Sequence, residues 1–247
     1  MSDEIAGRLS VVRSRLEAAC CRAGRSPGSV RLVAVSKGHG TAAIREALLA
    51  GQRCFGENYA QEMLGKQAAL ADASGLEFHF IGHLQSNKAK QVVGRAALIQ
   101  SVDRESLVEE LAKRVEERGL VQEILFEVHL SPEPSKRGCA PESLPALLAS
   151  ALHRPALRPR GLMTMPPFFD DPEQARPFFA RLRTLQEDLA GRFSLPDFRH
   201  LSMGMSHDFE IAIEDGATLV RVGTAIFGER LQAASGLDGG SQSEPRP

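Results

Sequence analysis

The chain has 247 residues, 43% of them apolar and 25% charged, which is the balance of a folded protein with a sizeable core and a length that suits one α/β barrel or two small domains. A formal net charge of −1 gives no overall field to gather nucleic acid or an anionic membrane, so neither is expected as a partner. The four cysteines lack C-x-x-C spacing and the density of a small secreted scaffold, the first residues carry acids in place of an apolar leader, and no apolar run nears the ~18 residues that cross a bilayer; a soluble cytoplasmic protein is the expectation.

In chain order, Ile5, Leu9, Val12 and Leu16 fall at helical spacing, with Ser2 and Asp3 as N-cap candidates, and the pattern stops near Gly24 before Ser26-Pro27-Gly28. Short β-branched runs then alternate with helical stretches, which implies a parallel sheet. Strands are predicted at Arg31 to Ser36, Arg53 to Gly56, Glu77 to Ile81, Leu98 to Ser101, Glu123 to Leu130, Leu157 to Leu162, Phe198 to Ser202 and Leu219 to Val222. Helices are predicted at Ala42 to Ala50, Ala60 to Ala73, Arg104 to Arg118, Pro141 to Ala151, Pro172 to Ala190 and His207 to Asp215. Eight strand units favour a single closed (β/α)8 barrel with an extra N-terminal helix. An open doubly wound sheet would want Gly-x-Gly-x-x-Gly after the first strand, where Lys37-Gly38-His39-Gly40 stands instead. The barrel with its leading helix is expected over residues 1–230, and residues 231–247, rich in Gly, Ser and Pro, as a disordered tail. Arg154, Arg158 and Arg160, interrupted by prolines, read as a solvated loop rather than a nucleic-acid patch.

Polar and glycine-rich residues recur just after the predicted strands, where a barrel gathers its functional loops. Lys37 follows LVAVS at the end of the first strand, and a partly desolvated lysine there can offer a neutral amine that forms an imine with an aldehyde. By position alone, a surface lysine at a strand end is the more ordinary reading. At the last strand, Gly223 makes a turn with Thr224 capping a short helix, and Ser202-Met203-Gly204-Met205-Ser206 follows the seventh; both can cradle an anion with backbone N–H groups and hydroxyls, or can be a tight turn and an N-cap at Ser206. Closure of the barrel makes these segments neighbours of Lys37, and an amine beside an anion cradle fits a phosphorylated aldehyde. Asn58 can reach the ring of such a ligand or cap the following helix. Arg221 either faces the barrel mouth or pairs at the surface with Glu214 or Glu229. His79 and His83 flank Gly82 without a third ligand and make a poor metal site, so no metal is expected; His200 and His207 read as structural.

The segments LVAVSK (32–37), FGENYAQE (55–62), HFIGHLQSNK (79–88), SVDR (101–104), GLMTMPP (161–167) and LSMGMSHDFEIAIEDGATLVRVGTAIFG (201–228) together resemble the pyridoxal phosphate homeostasis protein family, small proteins built like the N-terminal barrel of bacterial alanine racemase. The resemblance implies pyridoxal 5'-phosphate as cofactor, Lys37 as its imine-forming lysine, and Asn58 beside the ring. It makes Ser202, Gly204, Ser206, Gly223 and Thr224 phosphate-site residues, and Lys136 the family's second loop lysine. It also sets Arg221 near the pyridine nitrogen, where a guanidinium discourages ring protonation and weakens the ring as an electron sink. Phe78 stands where the family often has tryptophan, and Gly38-His39-Gly40 where it has a threonine and a proline. A monomer that buffers the cofactor or passes it transiently to apo-enzymes, without turnover, is the expected function. The racemases of this barrel type add a β-rich domain with a catalytic tyrosine, for which the twenty or so residues after the last barrel unit leave no room. A racemase, or a lysine-dependent aldolase acting on a sugar phosphate, is the alternative.

Overall fold

In the computed structural model, which describes residues 2–131 and 137–229, eight parallel strands close in sequence order into one barrel. They are β1 (Arg31–Val35), β2 (Cys54–Glu57), β3 (Glu77–Phe80), β4 (Leu98–Val102), β5 (Gln122–Glu127), β6 (Leu157–Met163), β7 (His200–Ser202) and β8 (Leu219–Val222). All eight lie where the sequence pattern predicts a strand. The seam closes between β1 and β8, with Arg31 opposite Leu219 and Ala34 opposite Val222.

Around the strands run α2 (Thr41–Leu49), α3 (Ala60–Ala69), α4 (Ala89–Val92), α5 (Glu105–Glu117), α6 (Leu144–Leu152), α7 (Arg176–Arg192), α8 (Phe209–Glu214) and α9 (Thr224–Phe227), after the leading α1 (Ser2–Arg22). Strands covered on both faces read as near-continuous apolar runs, and alternate residues divide between two cores. Val33, Cys54, Leu98, Leu125, Met163 and Leu219 fill the barrel, whereas Leu32, Ala34, Phe55, Phe78, Phe80 and Ile99 pack outward with the helices. α5 shows the driving pattern: Leu107, Val108, Leu111, Ala112 and Val115 form one buried stripe on an otherwise charged helix. The predicted N-terminal helix buries Ile5, Leu9, Val12, Leu16 and Ala19 and packs on α2, α8 and α9, across the seam side of the barrel.

Several expectations need correction. α4 has no counterpart in the predicted helices, because four residues are too few to show a period. The stretches from Pro141 and Pro172 open as 3-10 turns before α6 and α7 begin. α8 starts at Phe209 with Asp208 as its cap, so Ser206 does not cap it. α3 is capped by Tyr59 rather than Asn58, and α9 by Gly223, Thr224 being its first residue. Arg158 and Arg160 belong to β6 and not to a loop; Arg160 pairs with Glu123 at 2.6 Å and Asp197 at 3.2 Å. Lys136 and the predicted tail, 231–247, lie outside the described residues.

Candidate functional site

β1 carries the chain to the C-terminal rim of the barrel, where Ser36 is buried and Lys37 half-buried. The peptide groups flanking Lys37 are tied down by a buried cluster that sequence reasoning missed. Lys66 Nζ donates to the Ser36 carbonyl at 2.7 Å, to Glu57 Oε1 at 2.6 Å and to Glu62 Oε1 at 2.7 Å, which uses all three ammonium protons. The Ser36 hydroxyl donates to Glu57 Oε1 at 2.6 Å, and the Gly38 N–H to Glu62 Oε1 at 2.6 Å. Burial pushes the Glu57 carboxyl up, against the hydrogen bonds from Lys66 and Ser36, and its Oε2 has no partner. The i,i+4 spacing of Glu62 and Lys66 was the one signal in the sequence, and it is ordinarily a surface feature.

The last two strands bring the glycine segments to the same rim. Gly223 follows β8 directly and lies so close to β1 that a Cβ there would sit 3.3 Å from the Val35 carbonyl oxygen. The ring of His39, two residues beyond Lys37, stacks on Phe227 at 5.1 Å. Gly204 holds φ +90°, and a Cβ on it would meet the Ala212 methyl at 2.6 Å and Phe209 Cα at 2.9 Å; only glycine fits this turn. The Ser206 hydroxyl accepts from the Gly223 and Ala225 N–H groups at 3.3 and 3.5 Å, contacts long enough to yield to a better acceptor. Thr224 is exposed beside them.

Arg221, on β8, is buried inside the barrel mouth at 4% exposure, which excludes a surface pair with Glu214 or Glu229. Glu214 instead engages Arg22 and Arg176. The Arg221 guanidinium donates to the Ser202 hydroxyl at 2.5 Å and the Thr164 carbonyl at 2.9 Å. Ser202 Oγ in turn donates to Gln100 Oε1 at 2.6 Å, so its hydroxyl serves Arg221 and not the glycine cradle. Burial pulls the guanidinium down to about 10 against the charges of Glu127 and Asp208. Glu127 is pushed up to about 7 by burial and Asp103, opposed by Arg221 and Arg137. On both partners desolvation outweighs their mutual attraction.

Asn58 follows β2 at the rim, half-buried, and its Oδ1 is buried without a hydrogen-bond partner. It borders a cavity of about 300 Å3 with Tyr59, Phe80, His83, Leu84 and Lys88. His79 and His83 do not converge: His79 is buried in β3, and His83 stands 3.9 Å from Asp103. His200 and His207 bond Thr218 Oγ1 and the Asp170 carbonyl, each at 3.1 Å, in keeping with structural roles. A larger cavity, about 650 Å3, opens at the opposite, N-terminal end of the barrel and has no part in this group.

The family model described as alanine racemase, N-terminal domain, matches residues 10–231. A pyridoxal phosphate homeostasis protein of Aquifex aeolicus is 46% identical over 223 residues, 90% of this chain and 97% of that one. The chain belongs to the pyridoxal phosphate homeostasis protein family. A second homeostasis protein, from Pseudomonas aeruginosa, is 46% identical over 226 residues and covers 92% and 96% of the two chains. Among solved structures, PipY of Synechococcus elongatus, described with PLP bound, superposes with a TM-score of 0.82 at 40% identity over 91% of this chain and all of that one. Alanine racemase of Corynebacterium glutamicum, 16% identical with a TM-score of 0.70, shares the fold alone, and the chain covers 64% of its length. No helix among the described residues is long and apolar enough to cross a membrane.

Proposed function

We propose that the chain holds pyridoxal 5'-phosphate at the C-terminal mouth of the barrel, and that it buffers and delivers this cofactor in the cell without turning over a substrate. When bound, the cofactor supplies an aldehyde that condenses with a primary amine and a ring able to spread negative charge. Lys37 offers the amine, on a loop whose neighbouring peptide groups are fixed by Lys66 and Glu62. Gly204, Ser206, Gly223 and Thr224 receive the phosphate with backbone N–H groups and hydroxyls. Asn58 presents its orphaned buried oxygen to the cofactor's ring side. Ser202 acts one step back, orienting Arg221, whose cation discourages protonation of the pyridine nitrogen.

The observation that carries this reading is the convergence of Lys37 and the two glycine segments on one rim of a chain whose 46%-identical relatives carry the homeostasis name. Against turnover, a racemase needs an acid and a base on opposite faces of the reacting carbon, and the sole tyrosine, Tyr59, leaves 65% of its surface in solvent. We further propose that the chain works as a monomer in the cytoplasm and that apo-enzymes dependent on the cofactor are its transient partners.

The test is the absorbance of the purified protein before and after borohydride, with mass mapping of the modified lysine. A visible band that borohydride bleaches, a fixed adduct on Lys37, and loss of both in Lys37→Ala are expected, with no change in an amino-acid panel under chiral product analysis. An adduct confined to another lysine removes the site; sustained protein-dependent racemisation removes the carrier role.

A further inference from the structure

We propose that Cys54, Glu77 and His79 form a second site, at the opposite end of the barrel from Lys37, for one divalent cation of the zinc class. One thiol sulfur, one carboxylate oxygen and one imidazole nitrogen lie there within 4.8 Å of one another. The register of β2 and β3 creates this grouping: Cys54 stands opposite Glu77 and Gly56 opposite His79, so the three side chains share the inner face of two neighbouring strands. In the sequence Glu77 and His79 are two positions apart on one strand, but Cys54 lies 23 and 25 positions before them, which keeps it out of any local ligand-spacing motif.

The donor set is the one that a borderline-soft cation selects. Thiolate and imidazole discriminate against magnesium and calcium, and three protein ligands leave a fourth tetrahedral position for water. That position has a supply, since Glu77 and His79 line the cavity of about 650 Å3 that opens to solvent at this end. The ligating imidazole also has an outer support: the Gln100 side-chain amide lies 2.9 Å from His79 Nδ1. For Nε2 to keep its lone pair for a metal, Nδ1 must carry the proton and Gln100 must turn its amide oxygen from Ser202 to the ring, its amide N–H then donating to Ser202 Oγ in place of the bond that hydroxyl now gives. On binding, the cation replaces the proton of the Cys54 thiol, which leaves to solvent, and a metal–sulfur bond forms without any redox change.

Arginines oppose the cation: Arg25, Arg31 and Arg199 all line this cavity, and Arg31 pairs directly with one of the ligands. Arg31 lies 3.1 Å from Glu77 Oε2 and shares that carboxylate, but its side chain is 53% exposed and free to turn into solvent. The competition gives the proposal a signature that a merely structural cluster lacks: Arg31→Gln should tighten metal binding several-fold, while Cys54→Ala and His79→Gln abolish it.

The experiment treats the full-length protein with a chelator and then titrates it with cobalt(II), reading the ligand-field bands in the red, beyond the cofactor's own absorbance, and with zinc(II), reading the mass of the native protein. One cobalt ion per chain, displaced by zinc and lost in Cys54→Ala, is expected. Failure to take up stoichiometric metal, or uptake unchanged in Cys54→Ala and not strengthened in Arg31→Gln, overturns the proposal. Borohydride labelling of Lys37 on the same samples keeps the two ends of the barrel apart. Cys54→Ala should lose the metal and keep the label, and loss of the label with the metal retained counts against the cofactor reading alone.

Discussion

Replacing Lys66 by Met keeps the length and apolar body of the side chain and removes the charge that organises the Lys37 loop. In the native protein its ammonium makes three bonds at 2.6–2.7 Å, and the partner carboxylate of Glu57 has no exposed surface. Breaking one partner of a buried pair leaves the other uncompensated, at a cost of about 3–5 kcal/mol, whereas an exposed i,i+4 pair is worth about 0.5 kcal/mol. Here the upper range applies, since Glu57 Oε2 already lacks a partner and the carboxyl is already pushed up by burial. Lys66→Met should therefore lower unfolding stability by about 3–5 kcal/mol in a denaturant titration. Glu57→Gln on the same background should recover about half of that, because a neutral amide still accepts from Ser36 and carries no orphaned charge. Borohydride labelling of Lys37 should weaken in the single variant even well below its unfolding midpoint, as the Ser36 carbonyl loses its anchor. A loss of under about 1 kcal/mol, the level of a surface pair, would refute the account, as would a double variant no more stable than the single one.

Three further outcomes follow from the same rim. Glu127, at about 7 in the folded protein against about 4.3 when unfolded, retains a proton that the unfolded chain has released, so stability declines as pH rises from about 4.3 through 7 and the full penalty stands above it. Glu127→Gln should flatten that slope, gaining about 3 kcal/mol at pH 8 relative to pH 5, less whatever Arg221 loses with its counter-charge; equal shifts at both pH values would contradict the assignment. Gly204→Ala should cost more than the ~1–2 kcal/mol of its left-handed backbone alone, because the new methyl meets Ala212 and Phe209, and it should abolish cofactor retention on a desalting column. Ser206→Ala should leave the thermal midpoint nearly unchanged, since the bonds lost are 3.3 and 3.5 Å long, yet lower cofactor affinity by about tenfold; unaltered affinity would exclude this hydroxyl from the anion cradle.

The strands were legible because burial on both faces writes them as short apolar runs, and eight such runs separated by helical stretches leave a closed barrel as the simplest parallel architecture. The rim positions were legible for a related reason: in this fold the end of each strand is where chemistry collects, so Lys37, Asn58 and Gly223 could be placed before anything was known of their partners. Partners were what the chain order concealed. Ser202 and Arg221 sit 19 positions apart, and nothing in either segment says that the hydroxyl serves the guanidinium and not an anion. The same holds for Lys66, on the far side of a helix whose Glu62–Lys66 spacing looks like any solvated pair until α3 turns both toward β1 and β2. His79 gives the sharpest case, since the nearby His83 is irrelevant to it, Glu77 joins it by inward alternation along the same strand, and Cys54 is brought to both only by the register of β2 with β3. Periodicity therefore reports which face a residue occupies, while closure of the barrel decides which faces meet, and at both ends of this molecule the chemistry belongs to that second step.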